Sequence, residues 1–304
     1  MEGKDVDWFA AVKTPSGLDD TKGKSFAYFD SAQTDKGSFI PICESGLLHF
    51  PCEFKWSPKL INSTDSAIGA TINQLYKINK DTTFTIAYND DSPDDKVNGY
   101  RAHSKEVAVF NKEVGFWMIH SVPNFPPSTK YGFPDSGSVY AQSFLCLSLS
   151  VNSLEDVGQY MRFAQVTPFF SNLPEFHEII APSLVDVVGK KSLPRSATVF
   201  TTIRELKTLG GRSERILEAQ KIWSRPLVYD VEEVNLLGEP FPSSKDHSKW
   251  GVSMNVDKPA VCIGDVNRQV SQFNRGGGAV CIEDKKLWQA FHGSVAKYEK
   301  CGKT

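Results

Sequence analysis

The sequence predicts an α/β fold built from two similar halves in one compact body. Segments in which apolar residues alternate, as in strands, are interspersed with segments of helical periodicity. The tripeptide His-Ser-Lys occurs at His103–Lys105 and again at His247–Lys249, and strand-like segments follow each copy. Because no low-complexity linker divides the 304 residues, we expect a single body with halves of about 1–185 and 186–304.

In the first half, the pattern predicts one helix and then a series of strands. Apolar residues at helical spacing begin at Ile68, and Asp65 or Ser66 is suited to cap this helix. The segment TTFTIAYN alternates as a strand does, and EVAVFN and GFWMIHSV flank a short turn as in a β-hairpin. VYAQSFLCLSLSV is a longer apolar strand, and Ser153 with Asp156 marks the start of a second helix.

In the second half, we expect a mostly helical segment over Thr201–Trp223, interrupted at Gly210-Gly211. Two later segments, PAVCIGDV and GGAVCIE, have the composition of strands. Strands alternating with helices in this way favour an α/β class over an all-α or all-β one.

The overall charge of the chain excludes few classes of function. With a net charge of −2 the chain has no general nucleic-acid-binding signal, although local charge decides such binding. No apolar run reaches the roughly 18 residues that a membrane helix requires, so we expect no membrane association. The first residues, MEGKDVDWFAAVK, lack the apolar core of a signal peptide, which predicts either a cytosolic chain or one whose leader has been removed.

The cysteines and the sequon bear on the cell compartment. The six cysteines include no CxxC pair, which argues against a zinc site. In an oxidising compartment, the most favourable pairs would be Cys262 with Cys281 and Cys43 with Cys52. Asn62-Ser63-Thr64 is a glycosylation sequon, a common triplet that gives only slight support for secretion.

The repeated His-x-Lys pattern points to phosphodiester chemistry. Ser121 and Asp265 follow the two histidines at the same distance along the chain, which supports a true repeat. A histidine and a lysine two positions apart on a strand point to the same face. Two facing pairs would supply a nucleophile, a general acid and two ammonium groups for the phosphate oxygens. This chemistry needs no metal, and we interpret the DDSPDD segment at 90–95 as a solvated loop.

These motifs resemble the phospholipase D superfamily, whose pattern is HxK, then an aspartate, then GSxN. The segment 264–267, Gly-Asp-Val-Asn, resembles the last element in the second half. His120-Ser121 with Asn124 resembles a degraded copy in the first half, and Asn111 stands near the place of the aspartate.

The resemblance is closest to the deoxyribonuclease II family and extends from Val6 to Phe291. The matching segments occur in family order: VDWFAAVKTP, YFDS, TINQLY, YNDD, RAHSKEV, GFWMIHSVPNFPP, SFLCLSLS, DHSKWGVS, CIGDVNR, RGGGAVC and LWQAF. The resemblance implies a phospholipase D-like fold in which each half is a mixed β-sheet flanked by helices. A pseudo-two-fold axis would relate the halves, with the site between them.

The family also implies an activity. It implies an endonuclease without metal or cofactor that cuts DNA, with duplex as the expected form, best in acid. The products would carry 3′-phosphate and 5′-hydroxyl ends, formed through a phosphohistidine. Animal members are secreted or lysosomal, and a homodimer on duplex DNA is an arrangement that the family allows.

Carried over residue by residue, the catalytic set is His103, Lys105, His247 and Lys249. We assign His103 as the nucleophile and His247 as the general acid, although the near-symmetry of the pairs allows the reverse. The supporting residues, expected to orient a catalytic side chain or contact phosphate, are Asp265, Asn267, Asn124 and His120.

Two alternatives stay open at this point. One is a phospholipase D-like phosphodiesterase acting on another substrate, and the other is an inactive relative that binds DNA or a partner. The presence of all four HxK residues argues against the second, and no lipid-facing apolar pattern supports the first. For base stacking, Phe116, Trp117 and Trp250 are candidates, although Phe116 is better explained as a core residue.

Overall fold

The computed structural model describes residues 5–33, 53–93, 99–193, 201–219, 228–265, 267 and 275–299. Over these ranges the chain forms three β-sheets and six α-helices. In this described part, every helix is too short or too polar to cross a membrane.

The largest sheet has eight strands and lies in the first half. Its order is β3-β2-β1-β7-β6-β5-β4-β8. The strands are β1 (Trp8–Lys13), β2 (Phe26–Asp30), β3 (Lys55–Trp56), β4 (Phe84–Asn89), β5 (Lys105–Phe110), β6 (Val114–His120), β7 (Gln142–Ser150) and β8 (Phe170–Asn172).

The second half contributes two smaller sheets. The five-stranded sheet has the order β13-β14-β15-β10-β9 and the three-stranded sheet β12-β11-β16. Their strands are β9 (Thr201–Lys207), β10 (Ser213–Ala219), β11 (Asp230–Leu236), β12 (Glu239–Pro242), β13 (Trp250–Val252), β14 (Val261–Gly264), β15 (Gly277–Ile282) and β16 (Val295–Glu299). The helices are α1 (Ala67–Asn73), α2 (Asp135–Ser138), α3 (Leu154–Ala164), α4 (Glu175–Ile180), α5 (Ser183–Val188) and α6 (Lys285–Gly293).

The combination of helices and sheets agrees with the predicted α/β class, but the prediction of mixed sheets was wrong. All strand pairings in the described ranges are antiparallel, and the parallel bridge between Ala141 and Asp246 lies outside the strands. Short hairpin turns join neighbours such as β5 and β6, and a turn of that length can connect only antiparallel strands.

The eight-stranded sheet is buried on both faces. On β6, Trp117 and Ile119 face one apolar layer, whereas Phe116 and Met118 face the other, as the two-residue period of a strand requires. The first layer also takes side chains from β14, β15, α3 and α6, so one core lies between the two large sheets. Helix α1 covers the second layer.

Several local predictions are confirmed. Helix α1 begins after Ser66, whose Oγ accepts a hydrogen bond from the Gly69 amide at 3.0 Å. The predicted hairpin is β5–β6, and TTFTIAYN and VYAQSFLCLSLSV contain β4 and β7. The strands expected around PAVCIGDV and GGAVCIE are β14 and β15.

The helix predicted over Thr201–Trp223 is absent from the described part of that range, which forms the β9–β10 hairpin instead. Leu206 is buried and Ile203 is 67% exposed, so these two apolar residues, three positions apart, lie on opposite faces of β9. The turn contains Gly211 at a φ of +83°, a left-handed conformation that ends either element. Because β10 also pairs with β15, the hairpin is part of a larger sheet, which favours strand over helix in this segment.

The cysteine predictions have separate outcomes. Cys262 and Cys281 lie opposite each other on β14 and β15 and form a disulfide, as predicted. Cys43 and Cys52 lie outside the described residues. Cys146 is a buried free thiol, and burial raises its pKa.

Candidate active site

One end of the eight-stranded sheet collects polar side chains. In the antiparallel order, β4 ends and β5 begins at this end, where Asn89 pairs with Lys105. Asp90, which follows β4, accepts a 2.5 Å hydrogen bond from the Lys105 Nζ atom. His120 ends β6 and Gln142 begins β7 at the same end. The strands are mainly apolar along their length, so the polar side chains lie at the strand ends, at the edge of the hydrophobic core.

Asp90 joins three basic side chains. Besides Lys105, its carboxylate binds the Arg275 guanidinium at 3.0 Å, and its Oδ2 atom is 3.8 Å from the His103 Nε2 atom. Burial alone would raise the pKa of Asp90, but Lys105, His103 and Arg275 together lower it. Asp90 is only 4% exposed, so the interpretation of this segment as a solvated loop was wrong at Asp90; Asp94 and Asp95 lie outside the described residues.

His103 lies just before β5 with its two ring nitrogens in different environments. The Nδ1 atom is 2.6 Å from the backbone carbonyl oxygen of Asp265, which can only accept, so Nδ1 carries the hydrogen. The Nε2 atom is left with its lone pair, 3.4 Å from the Asn267 amide nitrogen. Burial and then the charge of Lys105 lower the pKa of His103 to about 4, against the opposing effect of Asp90.

The second pair, His247 and Lys249, lies just before β13. The His247 backbone amide donates to the Ala141 carbonyl at 2.9 Å, and the Lys249 amide donates to the Ser143 Oγ atom at 2.9 Å. The His247 ring stacks on the Tyr140 ring with centroids 3.9 Å apart and planes 6° apart. His247 is exposed, in contrast to His103.

Electrostatics link the two pairs. Partial burial and then Lys249 lower the pKa of His247, and Lys105 contributes in the same direction. Burial and then Lys105 lower the pKa of Lys249 to about 8, although Asp246 and Asp90 oppose this. Geometry also links the pairs through the end of β14, where the Lys249 carbonyl accepts from the Gly264 amide at 2.8 Å and the next residue, Asp265, contacts the His103 ring.

Each HxK segment is supported by the opposite half of the chain. His103 donates its backbone amide to Gly276 at 2.9 Å and its ring to Asp265, both in the second half. The segment of His247 and Lys249 is bound in turn by Ala141 and Ser143 of the first half. Contacts from the opposite half therefore help to fix the His103 ring and the backbone of the His247–Lys249 segment.

Of the supporting residues, Asp265 and Asn267 lie at His103. The Asp265 carboxylate accepts from the Gly278 amide at 3.0 Å and from the Tyr160 hydroxyl at 3.2 Å. Burial raises the pKa of Asp265, and the neighbouring Glu106 charge adds to the effect. Burial also raises the pKa of Glu106, to about 7, although Ser104 donates to its carboxylate at 2.7 Å.

His120 and Asn124 occupy positions behind the HxK residues. His120 is fully buried between the Phe125 and Phe144 rings, and burial lowers its pKa to about 3, with a smaller contribution from Lys105. The Asn124 amide donates to the Asp91 carboxylate at 3.0 Å. Asn124 thus holds the loop that carries Asp90.

The sequence pattern missed the carboxylate of the first half. Asn111, which stands near the superfamily aspartate, closes the β5–β6 turn by accepting from the Glu113 and Val114 amides. Asp90 supplies the carboxylate beside the first HxK pair. Its position directly after the predicted strand TTFTIAYN was a usable signal, since polar residues at strand ends often converge at one edge of a sheet.

The aromatic candidates for base stacking lie mostly in the core. Trp117 is 1% exposed and donates to the Glu106 carboxylate at 3.1 Å, and Phe116 is 6% exposed. Trp250 packs edge-to-face on Phe291, with ring centroids 5.2 Å apart. The prediction that Trp117 stacks on bases was therefore wrong, and Phe116 is a core residue as favoured.

A neutral buried histidine, an exposed histidine and buried cations at one site form a set suited to phosphoryl transfer. Among the described residues, no three His, Cys, Asp or Glu side chains are arranged to hold a metal ion.

Comparisons with known proteins agree with this class. The sequence profile of the deoxyribonuclease II family matches residues 1–224 and 211–301. Cell-death-related nuclease 7 of Caenorhabditis elegans is 37% identical over 339 aligned positions, covering 99% of this chain and 87% of that protein. Deoxyribonuclease-2-beta of Rattus norvegicus is 30% identical over 344 aligned positions, covering 99% of this chain and 91% of that protein. Deoxyribonuclease-2-alpha of Bos taurus is 29% identical over 348 aligned positions, covering 99% of this chain and 89% of that protein. The chain belongs to the deoxyribonuclease II family.

Proposed function

We propose that this protein is an acid endonuclease that cleaves duplex DNA to 3′-phosphate and 5′-hydroxyl ends without a metal, through a phosphohistidine. The relatives named as deoxyribonucleases support the substrate. The observation that carries the mechanism is the hydrogen bond from His103 Nδ1 to the Asp265 carbonyl oxygen, which leaves Nε2 free to attack.

In the first step, the Nε2 atom of His103 attacks phosphorus. An N–P bond forms, the bond from phosphorus to the 5′ oxygen breaks, and His247 gives its proton to that oxygen. DNA is then held to His103 through its 3′-phosphate. The different environments of the two histidines support this polarity, since a buried imidazole with a lowered pKa stays neutral and an exposed one is more easily protonated.

In the second step, His247, now neutral, takes a proton from water while the water oxygen attacks phosphorus. The N–P bond breaks, which frees His103 and leaves a 3′-phosphate. Lys105 and Lys249 are assigned to the non-bridging oxygens, whose charge grows in both transition states. Asn267 is assigned to the phosphate or to the His103 ring, which its amide already faces.

Acid pH supports both roles. The pKa of His103 is about 4, so at about pH 5 this residue is mostly neutral. The pKa of His247 is lowered from its ordinary value, so this residue also needs acid to carry a proton. Acid also makes the chain more cationic, which favours binding to a polyanion.

We also propose that the two halves, about 1–185 and 186–304, form the site as phospholipase D-like repeats of a single body. The reciprocal hydrogen bonds between the halves support this arrangement. A secreted or lysosomal location is proposed with it, supported by the Cys262–Cys281 disulfide, because such bonds persist in oxidising compartments. A homodimer on duplex DNA is a further part of the proposal and is tested by sedimentation with and without a DNA duplex.

The test of the function is nicking of supercoiled plasmid in excess EDTA at about pH 5 and about pH 7.5, on either side of the ordinary histidine pKa. The wild type is compared with His103→Ala and His247→Ala, and His292→Ala serves as the matched control because that histidine lies on α6 against Trp288. We expect acid cleavage that survives EDTA, a loss of at least about 100-fold in both active-site variants, and no loss in the control.

End-group analysis tests the chemistry separately. Products should accept a labelled phosphate at the 5′ end only, without prior phosphatase treatment. In addition, mass spectrometry of the wild type and of His247→Ala with a short duplex, quenched in alkaline denaturant because the N–P bond is acid-labile, should find a DNA adduct on His103. The absence of an adduct from protein that is still cleaving DNA would mean that cleavage is direct. Wild-type protein that never nicks DNA at either pH would reject the nuclease proposal as a whole.

A further inference from the structure

Tyr140 contacts the second histidine from the opposite half of the chain. Its ring lies nearly parallel to the His247 ring, with centroids 3.9 Å apart and an interplanar angle of 6°. The next residue, Ala141, accepts the His247 backbone amide at 2.9 Å and forms a parallel bridge with Asp246. The imidazole is therefore fixed through its ring and through its backbone by one short segment.

That segment is itself held rigidly. The Lys13 ammonium is buried at the end of β1 and donates to the Ser138 carbonyl at 3.1 Å, and to the Thr14 and Gly23 carbonyls. The Val139 carbonyl accepts the Ser16 amide at 3.1 Å. Tyr140 follows directly after these anchored residues, so the backbone that carries its ring is held in place.

We propose that Tyr140 is a positioning residue that holds the His247 imidazole against its ring face and favours the protonated form of that imidazole. The proposal rests on the proposed function, in which His247 must carry a proton before the first step.

The geometry supports a charged partner for the tyrosine ring. Two neutral aromatic rings prefer offset or edge-to-face contacts, whereas a cation is attracted to the negative ring face within about 6 Å. The parallel stack at 3.9 Å suits an imidazolium better than an imidazole. Tyr140 would thus stabilise His247 in the state that a general acid requires.

The charged groups around His247 show why such support is needed. Lys249 from its own segment and Lys105 from β5 both disfavour a proton on His247, and Asp246 favours one. Lys13 lies on the anchoring side, beneath the Ser138–Tyr140 segment. Because two ammonium groups oppose one carboxylate at His247, the ring face of Tyr140 offsets part of the repulsion.

The experiment is an NMR titration of the His247 imidazole in the intact protein without DNA. The variants are Tyr140→Phe, which keeps the ring face, and Tyr140→Leu, which removes it. A third protein carries fluorinated phenylalanine at position 140, which keeps the ring shape and weakens its negative face, so the test survives if the leucine variant does not fold. Tyr298→Leu is the matched control, since Tyr298 contacts Tyr229 in the three-stranded sheet.

We expect the pKa of His247 to fall by about half a unit in Tyr140→Leu, to fall in the fluorinated protein, and to stay at the wild-type value in Tyr140→Phe and Tyr298→Leu. The alkaline limb of kcat/KM against pH, which reports the free enzyme, should move by the same amount. A His247 pKa that is unchanged in both the leucine and the fluorinated proteins would overturn the proposal. Because the titration needs no cleavage, a responsive pKa in a protein that does not cut DNA would reject the proposed function and leave the Tyr140 inference standing.

Discussion

The Nδ1 atom of His103 lies 2.6 Å from the backbone carbonyl oxygen of Asp265, so the end of β14 in the second half orients the imidazole of the first. A backbone acceptor cannot be removed by a side-chain mutation, and it fixes the tautomer whatever the protonation state of the Asp265 carboxyl. The contact between the halves therefore selects the tautomer of neutral His103 that leaves the Nε2 lone pair free, whereas burial and the charge of Lys105 keep its pKa low against the opposing effect of this hydrogen bond.

The first prediction concerns the pH dependence of cleavage. Above its pKa of about 4, His103 is neutral and can attack, and below the pKa of His247, which is lowered from the ordinary value, His247 can donate a proton. We expect a bell-shaped profile of kcat/KM with an acid limb near pH 4 and an alkaline limb below about 6.5. Initial-rate assays from pH 3.5 to 8 in EDTA would show it, and a rate that keeps rising to pH 8 would contradict it.

The second prediction is that Asp90→Asn damages both stability and catalysis. The substitution leaves the buried Lys105 and Arg275 cations without their carboxylate, which we expect to cost about 3 kcal/mol in the free energy of unfolding. Cleavage should fall because both cations lose their orientation. Urea unfolding and plasmid nicking at pH 5 measure the two effects.

The control for Asp90 is Asp186→Asn. Asp186 also pairs with two cations, Arg162 and Lys191, but its side chain is 37% exposed and water replaces the lost contacts. This variant should unfold close to the wild type and cut DNA normally. Equal effects of the two substitutions would mean that the Asp90 cluster has no special role.

The sequence suggests candidate site residues where the pattern is local and repeated. His103 and Lys105 were proposed because the same tripeptide recurs at His247, and Asp265 was proposed through the motif around it. Asp90 could not be recognised in the same way. Its burial depends on ion pairs with Lys105 and with Arg275, the latter 185 positions away, whereas its own neighbours are polar.

Strand β9 shows why one part of the fold could not be predicted from the local sequence. The segment around Ile203 and Leu206 has good helix formers such as Arg204, Glu205 and Lys207, so local propensity favoured a helix. Pairing along β10, and of β10 with β15, overrides that preference. Both hairpins adjoin a short turn, but β5 is apolar over Val107–Phe110, whereas β9 has only Ile203 and Leu206 among polar residues, so only the first pattern predicted strands.

A third prediction concerns Gly276, whose carbonyl accepts the His103 amide. A Cβ atom at Gly276 would lie 2.2 Å from the Ala164 carbonyl oxygen at the end of α3, so Gly276→Ala forces backbone to move. We expect it to lower cleavage by displacing His103 and to lower the thermal midpoint. Gly293→Ala is the control, since a Cβ atom there meets nothing within 4 Å. Normal activity in Gly276→Ala would show that the contact with Ala164 is easily relieved.

The last prediction is a stability effect of pH at a site remote from catalysis. Glu214 on β10 is 3% exposed, and its Oε2 atom has no hydrogen-bond partner among the described residues. Burial raises its pKa to about 8, with Asp7 and Asp284 adding to the rise and Arg212 opposing it. Because the pKa of Glu214 is raised in the folded state, protonation of this carboxyl favours the folded protein. Its contribution to the free energy of unfolding is complete below the ordinary value of 4.5 and is lost as pH rises through about 8.

Glu214→Gln should therefore flatten the dependence of stability on pH. The wild type should lose on the order of 1 kcal/mol per pH unit between pH 5 and pH 8 relative to the variant. Urea unfolding at pH 5, 6.5 and 8 measures this, and Glu205→Gln on the exposed face of the neighbouring strand should follow the wild type. Parallel curves for the wild type and Glu214→Gln would show that the buried carboxyl is charged throughout and that Arg212 compensates for its burial. A variant that is more stable at pH 8 and no more stable at pH 5 would establish Glu214 as a buried acid that limits the folded enzyme to acidic surroundings.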